Sequence, residues 1–450
     1  MTARLLTLRT IVTMDPSLRV IHDGGIIIRG NTIERVLDAG ELQALRGFDG
    51  EIEAATTLTA IPGFVQTHIH LCQTLFRGMA DDLELLDWLK GRIFPLEAAH
   101  SPDSMYASAR CGIAELIRSG TTTIMDMGSI HHEEEIVRAI HETGLRAFVG
   151  KALMDVNGIM PDFKEPTEQA LGSALREAER WHGSSEGRIR YAVAPRFILS
   201  CSEPLLKEAY AMTKSFPGML FHTHAAENRG EMEAVRQRCA MGNIEYFETM
   251  GILHANTCLA HCIWLNDDEL SLLAERQAKV LHCPSSNSKL GSGVARIPEM
   301  RRRGITISLG ADGAPCNNTL DMFHEMRMAA LIQKPLHGPT AMDARAVFAM
   351  ATVGGAEALG LDQEIGSIEA GKKADIVLLN LDRAWNPVGG QDIDGPYSSI
   401  VYSSSPENVV SVMVNGKWLY NAGSFLALDE PRVVEAARTA LHQLTGRIRS

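Results

Sequence analysis

The chain has little that would suit it to an oxidising compartment, a membrane or a nucleic acid. Its eight cysteines, Cys72, Cys111, Cys201, Cys239, Cys258, Cys262, Cys283 and Cys316, form no Cys-x-x-Cys pair. Scattered singly, mostly within apolar runs, they read as reduced buried thiols and exclude a disulfide frame. The segment Met1–Thr10 alternates like a strand and carries no long apolar core, so neither a secretion signal nor a membrane span is expected. Basic residues are in the minority, 43 lysines and arginines against 55 acids for a net charge of −12, and no basic block interrupts that balance. A nucleic-acid surface is therefore excluded. Gly-rich phosphate loops, low-complexity linkers and short repeats are missing as well. These absences leave a cytoplasmic protein of 450 residues with ample core, long enough for two or three domains unless a barrel of roughly 250 residues takes up most of it.

What is present begins with Pro62-Gly63-Phe64-Val65-Gln66-Thr67-His68-Ile69-His70, an apolar strand ending in His-x-His. Side chains two apart on a strand share a face, so both imidazoles can reach one ion at the roughly 2 Å distance zinc takes. Three later apolar runs end the same way. Gly218–Glu227 offers His224 with Glu227 three residues on, Thr257–His261 offers His261, and Ile305–Gly313 ends in Asp312. Any one of these is more often a strand with a polar end; four in one chain point to a shared site.

Apolar, β-rich runs alternate with amphipathic helical stretches from about residue 60 to about 360. Eight runs stand out: Leu58–His70, Thr121–Met127, Arg146–Leu153, Arg188–Pro195, Met219–His224, Cys258–Cys262, Lys279–Cys283 and Ile305–Gly310. Ser101-Pro102-Asp103 reads as a helix start, and Gly120 as the stop. Repeated strand and helix implies parallel pairing, and eight such units predict a (β/α)₈ TIM barrel whose site lies at the carboxyl ends of the strands. Residues 58–365 are assigned to that barrel. Residues 1–57 and 366–450 alternate in period two, and the two ends are expected to pack as one small β-sandwich, followed by a surface helix from Pro431 to about Arg447. Two motif matches carry no function. Gly183-Ser184-Ser185-Glu186-Gly187 has the serine-hydrolase spacing but follows a helix and precedes a strand. His131-His132-Glu133-Glu134-Glu135 reads as the acidic opening of a solvated helix.

The order Pro62-Gly63-Phe64, His68-x-His70, His224 with Glu227, His261 and Asp312 resembles the amidohydrolase superfamily along essentially the whole chain. Trp88, Phe94-Pro95-Leu96-Glu97, His282-Cys283-Pro284-Ser285-Ser286-Asn287 and Ala311–Asn318 resemble its aromatic-ring aminohydrolases: guanine deaminase, adenosine-type deaminases and triazine hydrolases. That resemblance implies that His68, His70, His224 and Asp312 hold one divalent metal, zinc with iron(II) as the alternative. A second metal would need a bridging lysine at the end of the fourth strand, where this chain has Arg196; Lys151 is the nearest substitute. Zinc lowers the pKa of its water from about 16 to roughly 7. Glu227 is expected to shuttle the proton, with His261 and Asp312 orienting the water. His222 is left as structural. The family also implies a homodimer or higher homo-oligomer acting on a small heterocycle.

Within the branch, Gln73, Arg196 and Phe197 resemble guanine deaminase, since arginine donates to a carbonyl and glutamine both donates and accepts. Trp88, Glu97 and His282 complete the expected substrate contacts. Leu290–Ala295, Asn317-Asn318 and Glu325–Ala330 resemble the adenosine-type group instead. Guanine to xanthine and ammonia is the expectation, with the alternatives an adenosine-type substrate (S-adenosylhomocysteine, methylthioadenosine or 5'-deoxyadenosine) or a triazine.

Overall fold

The structure is a computed structural model that describes residues 3–158, 160–386 and 395–449. Its core is a parallel sheet built from β5 (Phe64–His70), β6 (Thr121–Asp126), β7 (Arg146–Val149), β9 (Ile189–Pro195), β10 (Leu220–Ala225), β11 (Thr257–His261), β12 (Lys279–His282), β13 (Ile307–Leu309) and β14 (Asp312–Gly313), with the short β8 (Ala152–Leu153) on β9. The strands pair in chain order. β13 lies beside β12, pairing Leu309 with His282, and β14 lies beside β5, pairing Asp312 with Ile69. Only Gly310 and Ala311 separate β13 from β14, so one short segment spans both edges and the sheet curls as a (β/α)₈ barrel requires. A Cβ at position 310 would lie 2.6 Å from the His68 carbonyl oxygen, so the crossing needs glycine. β5 and β6 are buried at every position, the near-continuous apolar signature of a parallel sheet covered on both faces. Helices lie between the strands. Pro102–Arg118 starts where the sequence signals it, with Ser101 accepting from the Ser104 amide, and Asn266 and Glu269 close a capping box on Asp267–Arg276.

The chain ends form a second sheet. In order it runs β18 (Ser424–Phe425), β17 (Lys417–Asn421), β16 (Val409–Val414), β15 (Ile376–Leu379), β4 (Gly50–Pro62), β1 (Ala3–Val12), β2 (Val20–Arg29) and β3 (Thr32–Leu37). The expected two-layer sandwich is thus one continuous mixed sheet, only roughly sandwich-like. The cause is β4, thirteen residues long, which pairs parallel with β1 on one edge and antiparallel with β15 on the other. Leu6, Ile26 and Ile33 from one end share an apolar cluster with Ile368, Ile376 and Met413 from the other.

Leu58–His70, read as one strand, is two. Leu58–Pro62 belongs to β4 in the flanking sheet, and the chain enters the barrel only at Phe64. Gly63 makes the switch, its amide donating to the Asp375 carbonyl at 3.0 Å, and a Cβ there would meet Thr122 Oγ1 at 2.1 Å. A buried ion pair ties the two sheets: Arg146 on β7 donates through Nε (2.8 Å) and Nη2 (3.1 Å) to Asp375, just before β15. The terminal helix Glu430–Arg449 packs on Pro102–Arg118 and buries Ala440 and Leu444. Among the described residues no helix is long and apolar enough to cross a membrane.

Candidate active site

The carboxyl ends of the barrel strands bring the expected donors together. His68 and His70 come from β5, His224 from β10, His261 from β11 and Asp312 from β14. His261 (φ +72°) and Asp312 (φ +62°) sit in the left-handed region, an unfavourable conformation for residues that are not glycine. Strain of this kind survives where surrounding packing enforces it, and here it falls on two residues whose side chains converge on one point.

One nitrogen from each of His68, His70 and His224 and one oxygen of Asp312 all lie within 4.8 Å of one another. The individual spacings are informative. Asp312 Oδ1 is 3.4 Å from His68 Nε2 and 3.3 Å from His70 Nε2, and His70 Nε2 is 3.3 Å from His224 Nε2. Four tetrahedral donors at a bond length of about 2.1 Å stand roughly 3.4 Å apart, so these edges fit a zinc-sized cation. His68 Nε2 is moreover buried with no hydrogen-bond partner among the described residues, which is costly unless something occupies the centre.

The surrounding groups hold the donors in ligating form. Burial is the main cause that keeps His68, His70 and His224 below the ordinary imidazole range, which favours the neutral rings that a cation needs. His224 Nδ1 donates to the Arg196 carbonyl at 2.7 Å, which leaves its Nε2 with the lone pair. For Asp312, burial alone would favour the neutral acid; the His68, His261 and His70 rings outweigh it and hold the carboxyl well below the usual range. Its oxygens also accept from Ser286 Oγ (2.6 Å) and the Gly313 amide (2.8 Å).

His261 stands next to this cluster, outside the four donors. Its Nδ1 meets Asn287 Oδ1 at 2.8 Å, and its Nε2 faces Glu227 Oε2 at 3.5 Å and Asp312 Oδ2 at 3.9 Å. Burial of the ring disfavours its charged form, but the Glu227 and Asp312 carboxylates prevail and raise its pKa. Glu227 is pushed up to about 7, chiefly by burial, against the pull of His261 and with help from Asp312 and Glu231. It is a carboxyl poised to give and take a proton near neutrality.

A pocket opens over these groups. His70, His224 and Asp312 form its floor, Leu85, Trp88, Leu89 and Phe197 its apolar walls, and Gln73, Arg196, Glu227 and Glu231 its polar side. Glu97 lies behind that wall. It accepts from Arg196 Nη1 (2.6 Å) and Nη2 (3.0 Å) and from Gln73 Nε2 (2.7 Å). Gln73 Oε1 and Trp88 Nε1 are buried without partners among the described residues. His282, at the end of β12, is buried with both ring nitrogens unpartnered among the described residues and does not line this pocket. Lys151 donates to the Ile130 carbonyl and pairs with Glu165 at 3.0 Å, so its ammonium is already engaged.

Several supporting residues escaped the sequence reading. Ser286 and Asn287 sit in the recognised run 282–287 without an assigned role. Glu231, whose carboxylate accepts from the Glu227 amide at 2.9 Å, was signalled by the Asn228-x-x-Glu231 capping pattern. His222, set aside as structural, contacts His68 directly at 2.8 Å. The acidic run after His132 does open a helix, Glu133–Thr143, but Glu133 is buried and accepts from the Ser129 amide; it is not solvated.

Residues 59–419 match the model of the amidohydrolase family. The chain is 41% identical over 434 residues, 95% of it and 97% of the relative, to a 5'-deoxyadenosine deaminase of Methanothermobacter thermautotrophicus. It is 36% identical over 425 residues, 94% of it and 96% of the relative, to a 5-methylthioadenosine/S-adenosylhomocysteine deaminase of Moorella thermoacetica. A crystal structure of an adenosine deaminase from Xanthomonas campestris with zinc bound superposes with a TM-score of 0.90 at 28% identity, covering 99% of this chain and 98% of that one. With the four-donor cluster at the strand ends and a family match across most of its length, the chain belongs to the amidohydrolase family.

Proposed function

We propose that this protein is a metal-dependent deaminase that converts an adenosine-type nucleoside and water into the corresponding inosine-type nucleoside and ammonia. The observation that carries the substrate class is the 41% identity, spread over 95% of the chain, to a 5'-deoxyadenosine deaminase. Guanine, favoured from Gln73 and Arg196 in the sequence, gives way to the adenosine-type alternative. Arg196 was expected to read a carbonyl of guanine, but both of its terminal nitrogens are on Glu97, and so is the amide nitrogen of Gln73. The carboxamide oxygen of Gln73 and the indole N–H of Trp88 have no partner among the described residues.

His68, His70, His224 and Asp312 are assigned as the ligands of one divalent cation, zinc by the chemistry of the donor set. When bound, such a cation supplies Lewis acidity that brings the pKa of a coordinated water from about 16 toward about 7. The chain's own groups do the rest. Apolar walls and Gln73 hold the purine ring over the donors. Glu227, protonated near neutrality, delivers its proton to the ring nitrogen beside the amine-bearing carbon, which makes that carbon electrophilic. His261 Nε2 would orient the attacking water, and Asp312 Oδ2 would accept its proton and pass it on toward Glu227. The new C–O bond forms, the C–N bond breaks, and the amine departs as ammonia with a proton returned through Glu227.

The test is a substrate panel. Ammonia release is measured side by side from 5'-deoxyadenosine, 5'-methylthioadenosine, S-adenosylhomocysteine, adenosine, guanine and melamine. The highest kcat/KM is expected on one of the four adenine nucleosides. Faster turnover of guanine or melamine would refute the substrate class, and no ammonia from any of the six would refute the deaminase reading itself.

A further inference from the structure

The geometry points to His222 as a positioning residue that fixes the ring of His68 in its metal-ligating tautomer, an inference that rests on the metal assignment above. His222 stands on β10 two residues before His224 and therefore faces the barrel interior with it. Its Nε2 lies 2.8 Å from His68 Nδ1, and the two rings meet edge to face with centroids 4.9 Å apart. That contact occupies the one nitrogen His222 could turn toward the cluster, so His222 is not a fifth donor.

The proton count follows from the chemistry of neutral imidazole, which carries one N–H and one lone pair. Two ring nitrogens 2.8 Å apart share one proton, so one of the rings donates and the other accepts. The one hydrogen bond between them can run in either direction. If His222 donates, His68 carries its proton on Nε2, the nitrogen 3.4 Å from Asp312 Oδ1, and cannot ligate. If His68 donates from Nδ1, its Nε2 presents a lone pair to the centre of the cluster. Metal binding selects the second arrangement, and among the described residues His222 Nε2 is then the acceptor for the His68 N–H. His222 in turn carries its own proton on Nδ1, which is buried with no partner among the described residues. His224 is held by the Arg196 carbonyl and Asp312 by the Ser286 hydroxyl and the Gly313 amide, whereas His68 depends on another side-chain ring.

The experiment compares zinc affinity, by competition with a chromogenic chelator, and melting of the metal-free protein for the wild type, His222→Phe and His222→Gln. Phenylalanine keeps the ring shape without the acceptor. Glutamine places a carbonyl oxygen close to where Nε2 sits. The expected result is a loss of zinc affinity of roughly 10–100-fold for H222F, the usual effect of removing a partner behind a ligating histidine. H222Q should stay within about threefold of wild type by the same reasoning, and all three metal-free proteins should melt alike. Wild-type affinity in H222F would overturn the inference. So would equal losses in H222F and H222Q, or a fall in metal-free melting that tracks the loss of zinc, since either would mark a packing role. A wild type that binds no zinc would refute the metal assignment and this inference with it. Tight zinc binding without deamination would refute only the proposed reaction.

Discussion

Replacing Glu227 with glutamine separates the catalytic need for this carboxyl from its effect on stability, and the structure fixes the sign of both. Glu227 is buried, its amide donates to Glu231, and it is not among the four cation donors. The variant should therefore keep its metal while losing about 10²–10⁴ in kcat, the span expected of a general acid–base group. Stability should move the other way. Burial raises the Glu227 pKa from 4.5 in an unfolded chain to about 7 in the native one. Between those values the native state holds a proton that the unfolded state has released, so wild-type stability falls as pH rises through that window. Above it the deficit is constant, about 3 kcal/mol for a difference of this size. Glutamine has no such proton. With an unfolding entropy of about 2.1 cal/mol/K per residue, metal-free E227Q should melt about 3 °C above wild type at pH 8 and match it near pH 4.5. Asp126 and Glu325, other buried acids raised to about 7, contribute equally to both proteins and cancel in the difference. Scanning calorimetry of the two metal-free proteins at those pH values, with kcat measured on the metal-loaded forms, is the assay. Near-normal turnover would remove Glu227 from the mechanism, and a melting difference independent of pH would refute the burial argument.

The barrel and its converging cluster of three histidines and one aspartate were legible because each rests on local pattern. Period-two and continuous apolar runs mark strands, and a strand whose last residues are His-x-His or a lone aspartate announces what stands at its carboxyl end. The break at Gly63 was not legible. Leu58–Val65 is apolar but for Thr59, and the same composition suits the inner half of β4 and a barrel strand, so only the clash with Thr122 reveals the switch. The flanking sheet was seen as strands but not as one sheet, since the pairing of β4 with β15 joins residues some three hundred positions apart and leaves no periodic trace. The supporting contacts were hidden for the same reason. His222 meets His68 across 154 positions and Arg196 meets Glu97 across 99. The second of these misdirected the choice of substrate. Arg196 had the right chemistry to read a carbonyl, and nothing local indicated that its guanidinium was committed to another side chain.

Two further outcomes test the cluster and the frame that carries it. Protein purified without chelator should carry about one equivalent of divalent transition metal per chain by plasma mass spectrometry, as four donors on one centre imply; two tightly bound ions would contradict the single site. Asp375→Asn should weaken the joint between the flanking sheet and the barrel. The side chains of Arg146 and Asp375 are 3% and 2% exposed, and Asp375 Oδ1 also accepts from the Asn415 amide at 2.7 Å. Asparagine keeps the shape and one acceptor but leaves a guanidinium buried without its counter-charge, which costs about 3–5 kcal/mol and lowers melting by about 3–5 °C in a chain of this length. Because the pair lies behind β7, away from the strand ends that hold the four donors, zinc stoichiometry and KM should stay at wild-type values. An unchanged melting temperature would mean that water reaches the guanidinium once the carboxylate is gone, and that the joint is held by the β4 pairing alone.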